Sequence, residues 1–215
     1  MSSRHAASSP RRPRKGRVTM GHSQAEKAAT RERVLRVASR RIRKDGVDRP
    51  GVAELMQEAG LTHGGFYKHF GSRDDLITQA AAFALAEGTA KMERSARRNT
   101  QDARAGLIDA YLAKQHRDGP ATGCALVTLG AAAGRGDQQI KQAYEKQVRT
   151  YLDLIAGLDE DAEDPQGEAM LTLSALVGAV LISRAVADQE FSDDLLATVT
   201  AQLTDRASRD LPTEA

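Results

Sequence analysis

Apolar residues recur at helical spacing along most of the chain, and nowhere do they alternate with the period of two that marks a strand. Val34, Leu35, Ala38 and Ile42 place one apolar stripe on a segment running from about Ala25 to Lys44, with Gly46 positioned to end it. Val52, Leu55, Met56 and Ala59 repeat the i, i+3, i+4, i+7 pattern over a second, shorter helix, after which Gly60 supplies a tight turn. Phe66 and Phe70 then fall four apart while His63, Tyr67 and Lys68 project elsewhere, so a third, very short helix has one packing face and one free face. Thr62 stands at its cap. Ser72 followed by Asp75 forms a capping-box variant, with Asp in place of the usual Glu, and Asp74 and Asp75 complement the positive end of the helix that follows. The pattern predicts that helix from Arg73 into the 90s, with Leu76, Ile77, Ala80, Phe83 and Ala84 on its buried face.

Beyond it, helices are predicted at about 102–117, 124–134, 137–156, 166–188 and 192–208. Asp118-Gly119-Pro120, the acidic stretch Asp159 to Asp164, and Gln189 to Ser192 separate them. Alanine-rich helical segments with no internal repeat give an all-α chain of roughly nine helices. The first three, with their glycine turn, read as a helix-turn-helix domain. Leu171, Leu173, Leu176, Val177, Val180, Leu181 and Ile182, then Leu195, Leu196, Val199 and Leu203, make the last two helices the most apolar of all. That surface is either an ordinary monomer core or half of a four-helix bundle shared with a second copy.

Charge sharpens the division of labour. The net charge of the 215 residues is only +2, yet residues 1 to 73 hold 17 Lys or Arg against 6 Asp or Glu, while the remainder holds 14 against 23. A basic N-terminal third is the electrostatic footprint of phosphate binding, and the acidic remainder is expected to stay off nucleic acid. Residues 1 to 22, rich in Ser, Pro and Arg, read as a disordered basic tail: either a merely solvated segment or an arm adding phosphate or minor-groove contacts. Met20 is an alternative translation start. Arg36, Arg40, Arg41, Arg43 and Lys44 form a basic cluster on the first helix, read as a solvated face with contacts to phosphate at its edge.

The one cysteine, Cys124, excludes an intramolecular disulfide, and the five histidines (His5, His22, His63, His69, His116) form no metal-spaced pair, so no metal or other cofactor is expected. No Gly-x-Ser-x-Gly and no phosphate-loop glycine pattern occurs, and an enzyme is not expected. No apolar run approaches the roughly 20 residues that span a bilayer, and the N-terminus lacks the apolar segment of a secretion signal, so a cytoplasmic location without membrane contact is expected.

Ala53-Glu54-Leu55, then Gly60-Leu61-Thr62-His63-Gly64-Gly65-Phe66-Tyr67-Lys68-His69-Phe70 and Ser72-Arg73-Asp74-Asp75-Leu76, resemble the N-terminal domain of tetracycline-repressor-like (TetR family) transcriptional regulators. The resemblance covers roughly residues 26 to 80. It departs at Arg49-Pro50-Gly51, where the family commonly has Ser or Thr opening the second helix; a hydroxyl contact to phosphate is lost, and backbone amides or Arg49 could replace it.

The resemblance implies a helix-turn-helix DNA-binding domain over about residues 23–72 and a larger helical ligand-binding and dimerisation domain over about 73–215. It also implies that the last two helices pair a homodimer on double-stranded operator DNA, and that a small-molecule effector bound in the C-terminal domain releases the operator. The alternative is an architectural DNA-binding dimer without an inducer. Carried over position by position, the DNA contacts fall on Thr62, His63, Gly64, Gly65, Tyr67, Lys68, His69 and Arg73. His63 and Lys68 are the candidates to read bases, whereas Thr62, Tyr67, His69 and Arg73 would hold phosphates and the two glycines admit the backbone to the groove. Tyr67 could also be partly core, and His69 could satisfy a bond between helices. Candidate effector-lining residues are Phe83, Met92, Tyr111, Cys124, Leu126, Leu129, Tyr144 and Tyr151, all of which could equally be plain core. Cys124 follows Gly123 at a predicted helix N-terminus, where a thiol is activated, and the Gly-Cys pair is similar to that of regulators in the family that respond to reactive compounds. Packing as a small buried residue is its simpler role.

Overall fold

Two glycines with left-handed backbone, Gly46 at φ 84° and Gly60 at φ 72°, set the corners of the N-terminal third. A β-carbon at either meets no neighbour, so the requirement for glycine is the dihedral and not the space. The computed structural model describes residues 20–97, 102–158 and 162–209, and the tail ahead of residue 20 lies outside them. Among the described residues the regular elements are nine α-helices and two 3-10 turns, with no strand.

The first corner follows α1 (Met20–Asp45), and the second lies between α2 (Val52–Glu58) and a 3-10 helix at His63–Lys68. Val34, Leu35, Ala38 and Ile42 of α1 join Leu55, Met56, Phe66 and Phe70 in one buried cluster, together with Leu76, Ile77 and Ala80 of α3 (Arg73–Ala96). A seven-residue helix is not stable alone, and burial worth about 1.5–3 kcal/mol for each large apolar side chain is what holds α2 in place. The α3 cap forms as the sequence suggests. Ser72 Oγ accepts from the Asp75 amide at 3.0 Å, and the Asp75 carboxylate accepts from the Gly71 amide at 2.9 Å, one residue before the cap itself.

Behind this domain stand α4 (Ala103–Leu112), α5 (Lys114–Asp118), α6 (Ala125–Arg135), α7 (Gln138–Ala156), α8 (Pro165–Ala185) and α9 (Gln189–Arg209), with the second 3-10 turn at Pro120–Thr122. The long α3 packs against α1, α4 and α7, and α8 lies between α7 and α9. α1 also meets α6, and Thr128 Oγ1 donates to the Arg43 carbonyl at 3.0 Å.

Several sequence expectations need correction. Helix α1 starts at Met20, inside the segment expected to be a disordered tail to residue 22. The helix predicted over about 102–117 is two helices, because Ala113 adopts an extended ψ of 143° and turns the chain. The break expected at Gln189 to Ser192 lies earlier: Val186 is extended, and the Asp188 carboxylate accepts from the amides of Glu190 and Phe191 to open α9. Pro50 precedes α2 rather than opening it, and Gly51 caps that helix without a side-chain bond. Finally, α8 is long and apolar enough, by length and composition, to cross a membrane, although Thr, Ser and Gly break its apolar run. Here it packs against α7 and α9.

Candidate DNA interface and a cationic cavity

The 3-10 geometry of His63–Lys68 divides its side chains between core and solvent. Phe66 is buried and stacks on Phe70 at 5.7 Å, whereas Thr62, His63, Gly64, Tyr67 and Lys68 are exposed and Gly65 is half-buried. Tyr67 is 73% exposed, which removes the alternative that it belongs to the core. Thr62 occupies the cap position, yet its side chain accepts no bond from the helix; the turn is closed by the Gly65 amide on the Thr62 carbonyl at 3.0 Å. Its hydroxyl is therefore not consumed by capping.

Tyr67, Lys68 and His69 share an open groove with Glu26, Lys27 and Thr30 at the start of α1. His69 is half-buried and its Nδ1 has no partner. Desolvation, reinforced by the positive charges of Lys27, Arg31 and Lys68, lowers its pKa, so the neutral ring is favoured at pH 7. Sequence reasoning missed Lys27 and Arg31 because the apolar stripe of α1 says nothing about which cations flank the reading turn. Arg31 lies over the Phe70 ring at 5.4 Å and donates to Gln79, which in turn donates to Asp75 at 2.5 Å, so α1 is hydrogen-bonded to the α3 cap and held against Phe70 by a cation–ring contact. The bond from Gly71, then that from Gln79, hold the Asp75 carboxyl below its ordinary pKa.

Arg73 is engaged from within. Its guanidinium donates to the carbonyls of Val47, Asp48 and Pro50 at 2.8, 3.0 and 3.3 Å, clamping the loop that leads into α2. The α1 basic cluster also divides. Arg36 pairs with Glu32, and Arg41 sits among Asp45, Glu54 and Glu58, but Arg43 is buried, correcting its reading as part of a solvated face.

Arg43 lines a half-open cavity of about 200 Å³ between α1 and the C-terminal helices. Four of the sequence candidates line it: Met92, Tyr111, Cys124 and Tyr151. Four do not. Leu126 and Leu129 are fully buried core, the Tyr144 hydroxyl donates to the Leu126 carbonyl at 3.2 Å, and Phe83 is half-buried against the core elsewhere on α3. The aromatic and aliphatic pattern that suggested them is shared by core and cavity, which is why it did not discriminate. The cations Arg40, Arg43, Lys91 and Arg94 and the ring of His116 were missed as cavity residues for the converse reason, since charged positions were assigned to solvent.

The floor of the cavity is built around Cys124, the N-cap of α6. Its amide donates to His116 Nε2 at 2.8 Å, while His116 Nδ1 lies 2.5 Å from the Tyr111 carbonyl; the pair fixes the neutral tautomer with the proton on Nδ1. Burial depresses the His116 pKa to about 4, against the opposing bond to Tyr111, with help from Arg184 and Lys91. The Cys124 thiol is buried, 3.9 Å from the Tyr151 hydroxyl. Burial pushes both Tyr151 and Tyr111 up, and the neighbouring Cys124 adds to each. Gly88 is required here: a β-carbon on it would overlap the Tyr151 hydroxyl. Among the described residues no group of His, Cys, Asp and Glu could hold a metal ion.

Comparison with known proteins agrees with this architecture. Residues 34–80 match the sequence model described as "Bacterial regulatory proteins, tetR family". No curated protein sequence matches the chain. Among solved structures, a TetR transcriptional regulator from Chloroflexus aurantiacus superposes with a TM-score of 0.73 at 18% identity, covering 86% of this chain and 98% of that one. E. coli NemR in its reduced form gives 0.69 at 20% identity, covering 82% and 97%, and a TetR-family regulator from Cytophaga hutchinsonii gives 0.69 at 16%, covering 84% and 96%. The fold is that of TetR-family transcriptional regulators, and the stretch that matches the family's N-terminal sequence model, residues 34–80, lies in the N-terminal helices.

Proposed function

We propose that the protein is a sequence-specific transcriptional repressor which, as a homodimer in the cytoplasm, binds operator DNA through the 62–69 segment and releases it when a small molecule occupies the cavity. The observation that carries the DNA half is the outward row Thr62, His63, Tyr67 and Lys68 on a turn whose other face is locked into the core by Phe66 and Phe70. A rigid turn with an exposed polar edge can approach a groove without rearranging. In this reading His63 and Lys68 reach base edges, Gly64 and Gly65 admit the backbone, and Thr62, Tyr67 and His69 hold phosphates, joined by Lys27 across the groove. His69 does so as a neutral donor. Arg73, already committed to three carbonyls, holds the loop ahead of α2 rather than touching DNA.

Ligand response rests on the position of the cavity. It is bordered at once by α1 of the DNA-binding domain and by helices of the regulatory domain, so an occupant that favours one arrangement over the other shifts DNA affinity by its differential binding alone. Fluorescence anisotropy against the chain's own promoter region and against random duplex, at rising salt, tests the DNA half. Tighter binding to the promoter, retained as salt rises, is expected; equal affinity for both overturns specific regulation and leaves an architectural DNA-binding role.

A further inference from the structure

The chemistry of the cavity states what kind of molecule it takes. Its charged lining comprises Arg40, Arg43, Lys91 and Arg94 against one carboxylate, Glu87. Three of these cations are exposed at the mouth, while Arg43 is buried. Glu87 contacts only Nη2 of Arg43, at 2.8 Å; Nη1 reaches the Ala84 carbonyl at 3.5 Å, and Nε has no partner at all. A second lining residue, Tyr111, is buried with its hydroxyl bonded to the Cys124 thiol and to no oxygen or nitrogen acceptor. An unpaired buried donor costs about 1–3 kcal/mol, and more on a charged group, so Arg43, whose Nε is shut away from solvent without a partner, is a cation short of an acceptor. The remaining wall is mixed: Met92, Leu107 and Ala110 are apolar, and Ser95, His116, Thr122 and Tyr151 add neutral polar groups. A cavity of about 150 Å³ holds a benzene ring, so the space here suits one ring or a short chain bearing one small polar group.

Resting on the ligand-responsive reading, we propose that the cavity binds a small organic carboxylate, whose two oxygens take the Nε and Nη2 edge of Arg43 in place of Glu87. The side-on guanidinium edge matches a carboxylate in two parallel bonds, which Glu87 in its single contact does not supply. The apolar body lies against Met92 and Leu107. The exchange also explains how the site reaches DNA. Arg43 belongs to α1 and Glu87 to α3, so their ion pair, extended by the bond from Arg43 to Ser39 Oγ at 3.3 Å, ties the DNA-binding domain to the regulatory helices. An anion that takes over Arg43 removes that tie without leaving the guanidinium uncompensated.

The test is calorimetric titration of the DNA-free protein with benzoate, phenylacetate and hexanoate, beside benzamide and benzylamine as neutral and cationic isosteres. The carboxylates are expected to bind saturably and benzylamine not at all. Arg43→Gln should abolish carboxylate binding, and Lys91→Gln, which removes a charge at the mouth together with the bond to the Thr122 carbonyl, should weaken it about threefold to tenfold. Glu87→Gln should tighten it about tenfold, because the carboxylate no longer competes with a resident one. No saturable binding by any carboxylate overturns the proposal, as do benzamide or benzylamine binding equally well, or Glu87→Gln weakening benzoate. Release of promoter DNA is measured separately. Carboxylate binding without release keeps this ligand class and sinks the ligand-responsive reading, whereas release by benzamide or benzylamine alone does the reverse.

Discussion

His63 and Tyr67 are both exposed on the 63–68 turn, and in the proposed DNA complex their chemistry assigns them different work. An imidazole at the start of the turn can donate to or accept from a base edge and so distinguish one base pair from another, whereas a phenol meeting phosphate distinguishes none. His63→Ala is expected to change the preferred operator, relaxing discrimination by about 1–3 kcal/mol at one base pair, while Tyr67→Phe weakens all sequences alike. Selection from a randomised duplex pool reads the difference, and equal losses on every sequence for both variants would refute the division. His116 gives a residue-scale prediction of another kind. Its pKa is depressed from 6.5 to about 4 in the folded protein, so the unfolded chain binds the proton more tightly between those values. Stability should be fully present above about pH 6.5 and fall by up to about 3 kcal/mol as pH drops toward 4. Urea denaturation across that range should show the slope, and His116→Gln should flatten it; a slope unchanged in the variant assigns the loss to other groups.

At the scale of elements, what was legible in the chain followed from periodicity and punctuation. The α1 stripe, the two positive-φ glycines and the Ser72–Asp75 cap all act within a few residues of sequence, and each is found where the pattern put it. The kink at Ala113 and the true start of α9 depend on how helices from distant parts of the chain pack, and periodicity carries no record of that. The two-sided turn was legible for the same local reason, since Phe66 and Phe70 are buried while His63 and Lys68 are exposed within a few residues of one another. The cavity was only half legible: Arg43 lies in line with solvent-exposed arginines on α1, and only α3 packing across it turns it inward. The cap makes a prediction of its own. Ser72→Ala leaves the Asp75 amide without its acceptor, and loss of about 1 kcal/mol of stability is expected. Because the same cap neighbours Phe70, operator affinity should fall along with thermal stability. Unchanged melting would show that water satisfies the amide equally well.

For the whole molecule, the decisive surface is the one the monomer leaves unfinished. Met170, Leu171, Leu181 and Ile182 are exposed along α8, and Phe191 on α9 is 52% exposed beside them. Leu173, Leu176 and Val180 on the opposite side of α8 are buried, so the helix carries large apolar side chains on a covered face and on an uncovered one. Exposed apolar side chains in this number seldom stay in water, and in the proposed homodimer a second copy related by a two-fold axis covers them with the same face. In that proposed dimer, two-fold symmetry presents two 63–68 turns to two half-sites. The consequence is quantitative, since each half contributes its own phosphate contacts to the salt dependence of binding. A Leu181→Glu, Ile182→Glu double variant places charges in the seam and should convert a dimer to a folded monomer by light scattering. The slope of log affinity against log salt should then fall to about half, with loss of most operator affinity. A variant that stays dimeric, or a wild-type chain that sediments as a monomer at the concentrations where it binds its operator, would show that α8 and α9 face something other than a second copy.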